Sequence, residues 1–170
     1  MQLAVHAGAK VYTTVGDDTD FAEAQAFGAK AAINYKTESP SDYTARLTDN
    51  QGFDLIFDTV GGSNLEKSFA AAKGNGEIIT TTASVTLDLS PMLQKSLSLH
   101  VVFMLLPLIS GNGLALYHHV LSETALLVDQ GKMRPRIDPM QFTFSKVGAA
   151  HAYLESGRAQ GKVVLINDLH

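Results

Sequence analysis

Short apolar runs alternate along the chain with longer segments in which apolar residues recur every three or four positions. Runs of the first kind are typical of β-strands, and segments of the second kind are typical of amphipathic helices. The predicted strands cover residues 10–15, 31–35, 53–60, 76–82 and 162–166, with one more within residues 98–106. Strands that alternate with single helices predict a parallel sheet, and a run as apolar as FDLIF predicts helices on both of its faces.

Capping residues mark the helix boundaries. Asp20 and Glu23 are spaced as a capping box, and Ser39 stands before Pro40 as an N-cap stands before the first helical residue. Residues before Gly8 predict the last turns of a helix. Further helices are predicted over residues 63–74, 114–130 and 145–157, the last capped by Ser145.

Composition narrows the class of protein. The 170 residues carry a formal net charge of -4, which argues against nucleic acid or an anionic membrane as the partner. There is no cysteine, so disulfides and thiolate metal sites are excluded. The first residues do not form a signal peptide, and the most apolar stretch is too short to span a membrane. A cytoplasmic location is the expectation.

Five stretches together resemble the cofactor-binding half of medium-chain dehydrogenase/reductases, with the zinc-free quinone oxidoreductase branch as the nearest match. These are QLAVHAGAKVYTTVG, FGAKAAINYKTE, GFDLIFDTVGGSNLEKS, GNGEIITTT and AHAYLESGRAQGKVVLI, in the family's order and spacing. The resemblance implies an α/β fold with a Rossmann-like, doubly wound, mostly parallel sheet. Residues 1–170 would form one partial NAD(P)-binding domain with a return segment at about 140–170.

The same resemblance implies that the first strand of this sheet is absent. In the family that strand and its glycine-rich phosphate turn come directly before QLA, so that Met1 falls inside the first helix. The strand would lie between the strands predicted at 10–15 and 53–60. We expect the resulting gap to be closed by a partner chain, by strand exchange or by a rearranged opening segment.

Residues near the adenosine are implied by the resemblance at two strand ends. Gly16 matches a position where the backbone approaches the cofactor, and Tyr35 matches a ring beside the adenine or the ribose phosphate. Many NADPH-using relatives have Ser and Lys where this chain has Asp17 and Asp20. A carboxylate repels a 2′-phosphate but accepts from a ribose hydroxyl, so the preference leans toward NAD. The alternative is that this chain has lost cofactor binding. The alternatives are that the aspartates only cap a helix and that Tyr35 only lies at a rim.

Further cofactor contacts are implied nearer the nicotinamide. Asn64 matches a contact in the turn FDTVGGSN, although it could instead cap the next helix. Thr81, Thr82, Ala83 and Ser84 match the loop beside the nicotinamide, and Val102, Phe103 and Met104 match the loop that offers backbone groups to its carboxamide. Lys162 matches a turn near the end of the chain that returns to the cofactor. Relatives often have glycine where this chain has TTTAS, so close backbone approach there is in question. Without the resemblance, the apolar positions would be core and Lys162 a solvated charge.

The function implied is hydride transfer between NAD or NADP and a quinone, enone or carbonyl, a small-molecule substrate of the intact enzyme. No nucleophile–base pair is found and none is needed, because the cofactor supplies the reaction. The six histidines show no ligand spacing, so no zinc is expected. The chain alone is expected to be inactive, and a homodimer is expected through the 98–106 edge strand or the gap. Two alternatives are a non-catalytic dimerisation module and another nucleotide-fold enzyme such as a methyltransferase.

Overall fold

The computed structural model describes residues 1–169 of the chain. These residues form two compact units, a first unit of Met1–His118 and a second unit of His119–His170. The elements of the first unit are α1 (Gln2–His6), β1 (Tyr12–Val15), α2 (Phe21–Ala26), β2 (Ala31–Asn34), α3 (Pro40–Thr48), β3 (Phe53–Asp58), α4 (Asn64–Ala71), β4 (Ala72–Thr80), α5 (Ser90–Lys95), β5 (Ser98–Val101) and α6 (Leu106–Ser110). Helix α7 (Leu114–Asp129) begins in the first unit, and the second unit also holds β6 (Ile137–Thr143), α8 (Val147–Glu155) and β7 (Lys162–Ile166).

Every strand pairing among the described residues is parallel, as the alternation of strands and helices predicts. In the first unit β1 pairs with β2, while β3, β4 and β5 form a three-stranded sheet in that order. In the second unit β6 pairs with β7. The α/β class with a mostly parallel, Rossmann-like sheet is therefore confirmed.

Helix α4 provides two of the four most deeply buried large side chains of the first unit, and β4 provides the other two, Ile78 and Thr80. Phe69 is 0% exposed and Leu65 is 1% exposed, and both pack with Ile78 of β4. Because side chains alternate along a strand, the opposite face of β3 presents Leu55 and Phe57, which are 57% and 62% exposed. The core of this sheet thus lies on its α4 face.

The end of α4 differs from the sequence prediction, which continued the helix to Gly74. The helix ends at Ala71, and Ala72 is already extended and paired with Phe53. Lys95 explains the change, because its ammonium donates to the carbonyls of Phe69, Ala70 and Ala72 at 3.0, 2.7 and 2.9 Å. These are carbonyls that a helix end leaves without partners, and a distant lysine satisfies them here.

Strands β1 and β3 stand on either side of the predicted gap. Among residues 1–169, β1 is paired only with β2, and β3 only with β4. Aromatic rings connect the starts of the two strands: the ring centroids of Tyr12 and Phe53 are 5.5 Å apart, and Tyr43 lies 6.2 Å from Phe53. The two strands are therefore close, yet no sheet pairing joins them.

Three further predictions needed correction. The strand predicted within 98–106 is only Ser98–Val101, because the chain turns from Phe103 into α6. Strand β6 was not predicted, since Pro139 within it argues against a strand interior. Ser145 does not cap α8; its hydroxyl instead donates to Asp168 Oδ2 at 2.6 Å.

Candidate functional site

The carboxyl ends of β1 to β5 carry all but one of the predicted cofactor contacts. Parallel strands present their carboxyl ends at one edge of a sheet, and ligands of open α/β folds bind beyond that edge. Gly16 and Asp17 follow β1, Tyr35 follows β2, and Asn64 begins the helix after β3. The other positions of the first unit follow β4 and β5: Thr81, Thr82, Ala83, Ser84, Val102, Phe103 and Met104.

Gly16 and Tyr35 lie against each other. A β-carbon built on Gly16 would be 3.3 Å from the Tyr35 hydroxyl, so a side chain here would press on the ring. Tyr35 itself is 52% exposed and leaves a flat aromatic surface open. The structure thus brings together the two residues that the sequence predicts on the adenosine side, with an open surface on which a base or ribose can pack.

Asp17, not Asp20, caps the turn after β1. Its Oδ1 accepts from the backbone N–H of Thr19 at 2.9 Å and from the Thr19 hydroxyl at 2.8 Å. These hydrogen bonds, the backbone one foremost, lower the pKa of Asp17 below its ordinary value. The capping box predicted from Asp20 and Glu23 is wrong, since α2 begins at Phe21 without a side-chain cap from Asp20. Asp17 is exposed, so capping and ligand contact are compatible.

Asn34 joins the loop after β1 to the end of β2, and the sequence analysis missed it. Its Nδ2 donates to Asp18 Oδ1 at 2.6 Å, and its Oδ1 accepts from the backbone N–H of Lys36 at 3.1 Å. The side chain is 8% exposed. An amide at the end of an apolar strand, beside an acidic loop, was the available signal for this role.

Asp58, the last residue of β3, is a buried carboxylate with four hydrogen-bond donors. Oδ1 accepts from the backbone N–H groups of Val60 and Gly61 at 2.9 and 2.8 Å, and Oδ2 accepts from Asn64 Nδ2 at 3.1 Å and Ser68 Oγ at 2.8 Å. Burial alone would raise the pKa of Asp58, but these four hydrogen bonds together lower it. The residue is therefore an anion at neutral pH.

Asn64 is neither a helix cap nor turned away from the protein. The residue at the N-cap of α4 is Ser63, which makes no capping hydrogen bond, and Asn64 donates its amide to Asp58 instead. The alternative that Asn64 caps the helix is thus wrong. Its proposed contact with the cofactor stays a prediction.

Gly61 brings the turn after β3 against the loop after β4. It is buried, with φ of +66°, and a β-carbon built on it would overlap the carbonyl oxygen of Thr82. Thr80, which is 0% exposed, holds that loop: its hydroxyl donates to Thr82 O at 3.1 Å and accepts from Thr82 N at 3.2 Å. The Thr80 carbonyl in turn accepts from Val102 N at 2.8 Å. The turn after β3 therefore contacts the loop after β4, and the first residue after β5 is hydrogen-bonded to the last residue of β4.

The remaining predicted contacts are less closely held. Ala83, Ser84, Phe103 and Met104 are exposed, and the Met104 carbonyl accepts from the Tyr117 hydroxyl. Lys162 belongs to the second unit, where it is the exposed first residue of β7 and its N–H donates to Arg136 O at 2.8 Å. It lies at the amino end of its strand, unlike the other candidates at carboxyl ends.

Residues 1–169 contain neither a metal site nor a membrane-spanning helix. No group of three histidine, aspartate or glutamate side chains lies together there in a way that could hold a metal ion. No helix in that part of the chain has the length and hydropathy needed to cross a membrane.

Comparison with known proteins places the chain among reductases and dehydrogenases. Residues 27–165 match the family described as zinc-binding dehydrogenase. The chain is 31% identical over 167 residues to 2-methylene-furan-3-one reductase of Solanum lycopersicum, covering 97% of this chain and 36% of that protein. It is 29% identical over 167 residues to the NADPH-dependent alkenal/one oxidoreductase, chloroplastic, of Arabidopsis thaliana, with the same coverage of 97% and 36%.

A solved structure shows the same fold. An alcohol dehydrogenase superfamily protein from Novosphingobium aromaticivorans superposes with a TM-score of 0.90 at 34% identity. The match covers 95% of this chain and 49% of that one. The chain thus spans about half the length of this solved protein and about a third of the two curated relatives.

Proposed function

Because this chain belongs to the medium-chain dehydrogenase/reductase superfamily, we propose that it is the nucleotide-binding portion of an NAD(P)-dependent reductase. The observation that carries the proposal is the contact between the turn after β3 and the loop after β4, together with the exposed ring of Tyr35 against Gly16. The reductase would transfer hydride between nicotinamide and a quinone, enone or carbonyl. The names of the two plant relatives support an enone or alkenal substrate.

The residues present fit a dinucleotide in an extended pose. Gly16 and Tyr35 would receive the adenosine, with Asp17 near a ribose hydroxyl, and Asn64 would lie along the ribose. Residues 81–84 and 102–104 would border the nicotinamide, which supplies the hydride when the cofactor is bound. In this proposal the protein binds and orients the cofactor, and no side chain is assigned a proton-transfer step.

The chain alone should bind NADH without catalysing turnover. Titration of the purified chain with NADH, followed by nucleotide fluorescence, tests binding, and steady-state assays with quinones and enones test turnover. Sustained turnover by the pure chain would contradict the proposal that this chain binds the cofactor but does not catalyse the reaction by itself. A chain that binds neither NADH nor NADPH at millimolar concentration would contradict the cofactor assignment.

Replacing two acids should shift the cofactor preference from NADH toward NADPH. In the double variant D17S/D20K, the serine introduced in place of Asp17 keeps an oxygen that can cap the turn, while the charge near the ribose becomes positive. We expect the ratio of Kd values to move about tenfold or more toward NADPH, which corresponds to ~1.4 kcal/mol. Parallel titrations with both nucleotides measure it.

The matched control for that experiment is D17N/D20N, which removes the negative charges without adding a positive one. It should move the ratio less than D17S/D20K does. Equal ratios for the wild type and D17S/D20K would show that these acids do not face the ribose.

We also propose that the protein forms a homodimer through the edge of β5 and the residues after it. Val101, Leu105 and Leu106 are 58%, 54% and 57% exposed in the apolar stretch VVFMLL, which is typical of an interaction surface. Sedimentation at micromolar concentration should show a dimer, and V101K should weaken it while V164K, on an exposed position of β7, should not. A monomer at that concentration would contradict the proposal and the alternative of a dimerisation module alike.

The expected cytoplasmic location stays a prediction. One relative carries the word chloroplastic in its name, so the family is not confined to one compartment. Localisation of a tagged full-length protein in its own cells would test it.

A further inference from the structure

We propose that Asp58 is a positioning residue of the candidate site at the carboxyl ends of the strands. Its carboxylate sets the relative positions of the loops after β3, β4 and β5. The inference rests on the proposed function for its meaning in catalysis. The structural part of the inference is that one carboxylate determines the positions of three loops, and this part can be tested without any cofactor. No residue of this network was among the contacts predicted from the sequence except Asn64, Thr82 and Val102.

The two oxygens of Asp58 face two different parts of the structure. Oδ1 binds the turn, through the N–H groups of Val60 and Gly61, and Oδ2 binds α4, through Asn64 and Ser68. Because the side chain is 4% exposed, water cannot replace these partners readily. The carboxylate therefore fixes the turn relative to the most deeply buried helix of the first unit.

Position is passed from the turn to the neighbouring loops by contact. Gly61 is placed so closely against Thr82 that no side chain fits between them. Thr82 is held by the buried hydroxyl of Thr80 through both its N–H and its carbonyl, and the Thr80 carbonyl accepts from Val102. A displacement of Gly61 toward the loop must therefore displace Thr82, and Thr80, which holds Thr82 through its hydroxyl, also holds Val102 through its carbonyl.

The other aspartate of β3 shows that this role is not general to the strand. Asp54 is exposed, and its carboxylate accepts from Lys73 at 2.7 Å, away from every loop of the candidate site. An exposed pair of this kind contributes little to structure. Asp54 therefore offers a matched position for a control substitution in the same strand.

Backbone amide exchange, read residue by residue, tests the proposal. In D58A we expect the amides of Gly61, Thr82 and Val102 to exchange about tenfold or more faster than in wild type, each measured relative to the Ile78 amide of the core. In D54A these ratios should not change. In D58N they should stay within about threefold of wild type, since an asparagine oxygen can still accept from both turn amides while Asn64 and Ser68 reorient.

S68A separates positioning from stability. It removes a hydrogen bond to Oδ2 but leaves Oδ1 on the turn, so it should lower the stability of the first unit without raising the exchange ratios at Gly61 and Val102. Equal ratios in S68A and D58A would overturn the proposal. A change in D58A confined to Val60 and Gly61 would also overturn it, because the three loops would then be independent.

T80V keeps the inference testable if D58A does not fold. It removes the hydroxyl that holds Thr82 and should speed exchange at Thr82, while Gly61 keeps its ratio because Asp58 still binds the turn; an equal acceleration at Gly61 would overturn the proposal. With NADH, D58A should weaken binding and S68A should not. A wild type that binds no nucleotide would refute the proposed function, while the exchange ratios would still decide the role of Asp58.

Discussion

Phe69→Ala should cost the first unit much of its stability. Phe69 is 0% exposed and packs with Leu65 and Ile78 between α4 and the sheet, so truncation leaves a cavity in the centre of the core. Such substitutions cost ~3–5 kcal/mol, and the net stability of a whole domain is only ~5–15 kcal/mol. Urea unfolding followed by far-ultraviolet circular dichroism measures the loss as a lower midpoint.

Phe57→Ala is the matched control, because it removes the same atoms from β3 of the sheet on which α4 packs. Phe57 is 62% exposed, so its truncation should change the free energy of unfolding by less than ~1 kcal/mol. Similar losses for the two variants would mean that the face of β3 opposite α4 is covered in solution. That result would place a second packing layer where the described residues show none.

Gly61→Ala should disrupt the candidate site more than any other single methyl group added there. The φ of +66° costs an alanine ~1–2 kcal/mol, and the overlap with Thr82 adds the strain of an overpacked site, ~1–3 kcal/mol. Relief of that strain requires the turn or the neighbouring loop to move. We therefore expect both a lower unfolding midpoint and a weaker affinity for NADH.

Gly62→Ala isolates the conformational part of this effect. Gly62 also has a positive φ, +57°, but a β-carbon on it meets nothing within 4 Å. G62A should thus show only the conformational cost, and the difference between the two variants measures the overlap at Thr82. If G62A is as damaging as G61A, the close approach of the two loops does not exist in solution.

Local sequence signals predicted those parts of the fold that local interactions determine. Ser39 caps α3, and its reciprocal partner is Asp42, because both are within one helical turn. Gly131 follows the end of α7 with a φ of +67°, as its position after the apolar periodicity predicts. The strands other than β6 were found for the same reason, since their apolar runs need no knowledge of distant residues.

Errors arose where a distant residue decides the outcome. The end of α4 depends on Lys95, which is 23 to 26 positions away from the carbonyls it binds. Ser145 was assigned a capping role from its local sequence, yet Asp168 from the far end of the second unit is its partner. Neither contact can be deduced from spacing along the chain.

For the candidate site, the sequence located the loops but not the side chains that hold them. Gly16 and Tyr35 were predicted together and lie together, because both follow strands that pair. Asp58, Asn34 and Thr80 escaped the prediction because their function is to bind other protein groups, and polar residues at strand ends have many possible partners. Burial distinguishes them, and burial is known only after folding.

The separation of β1 from β3 affects how the first unit unfolds. Since sheet pairing does not cross between them within residues 1–169, the β1–β2 pair is joined to the larger sheet by side-chain packing around Tyr12, Tyr43 and Phe53. Elements joined in this way can open as separate cooperative units. The acidic half of the candidate site, at the ends of β1 and β2, can then melt at a temperature where the half organised by Asp58 is still native, giving the candidate site two thermal transitions.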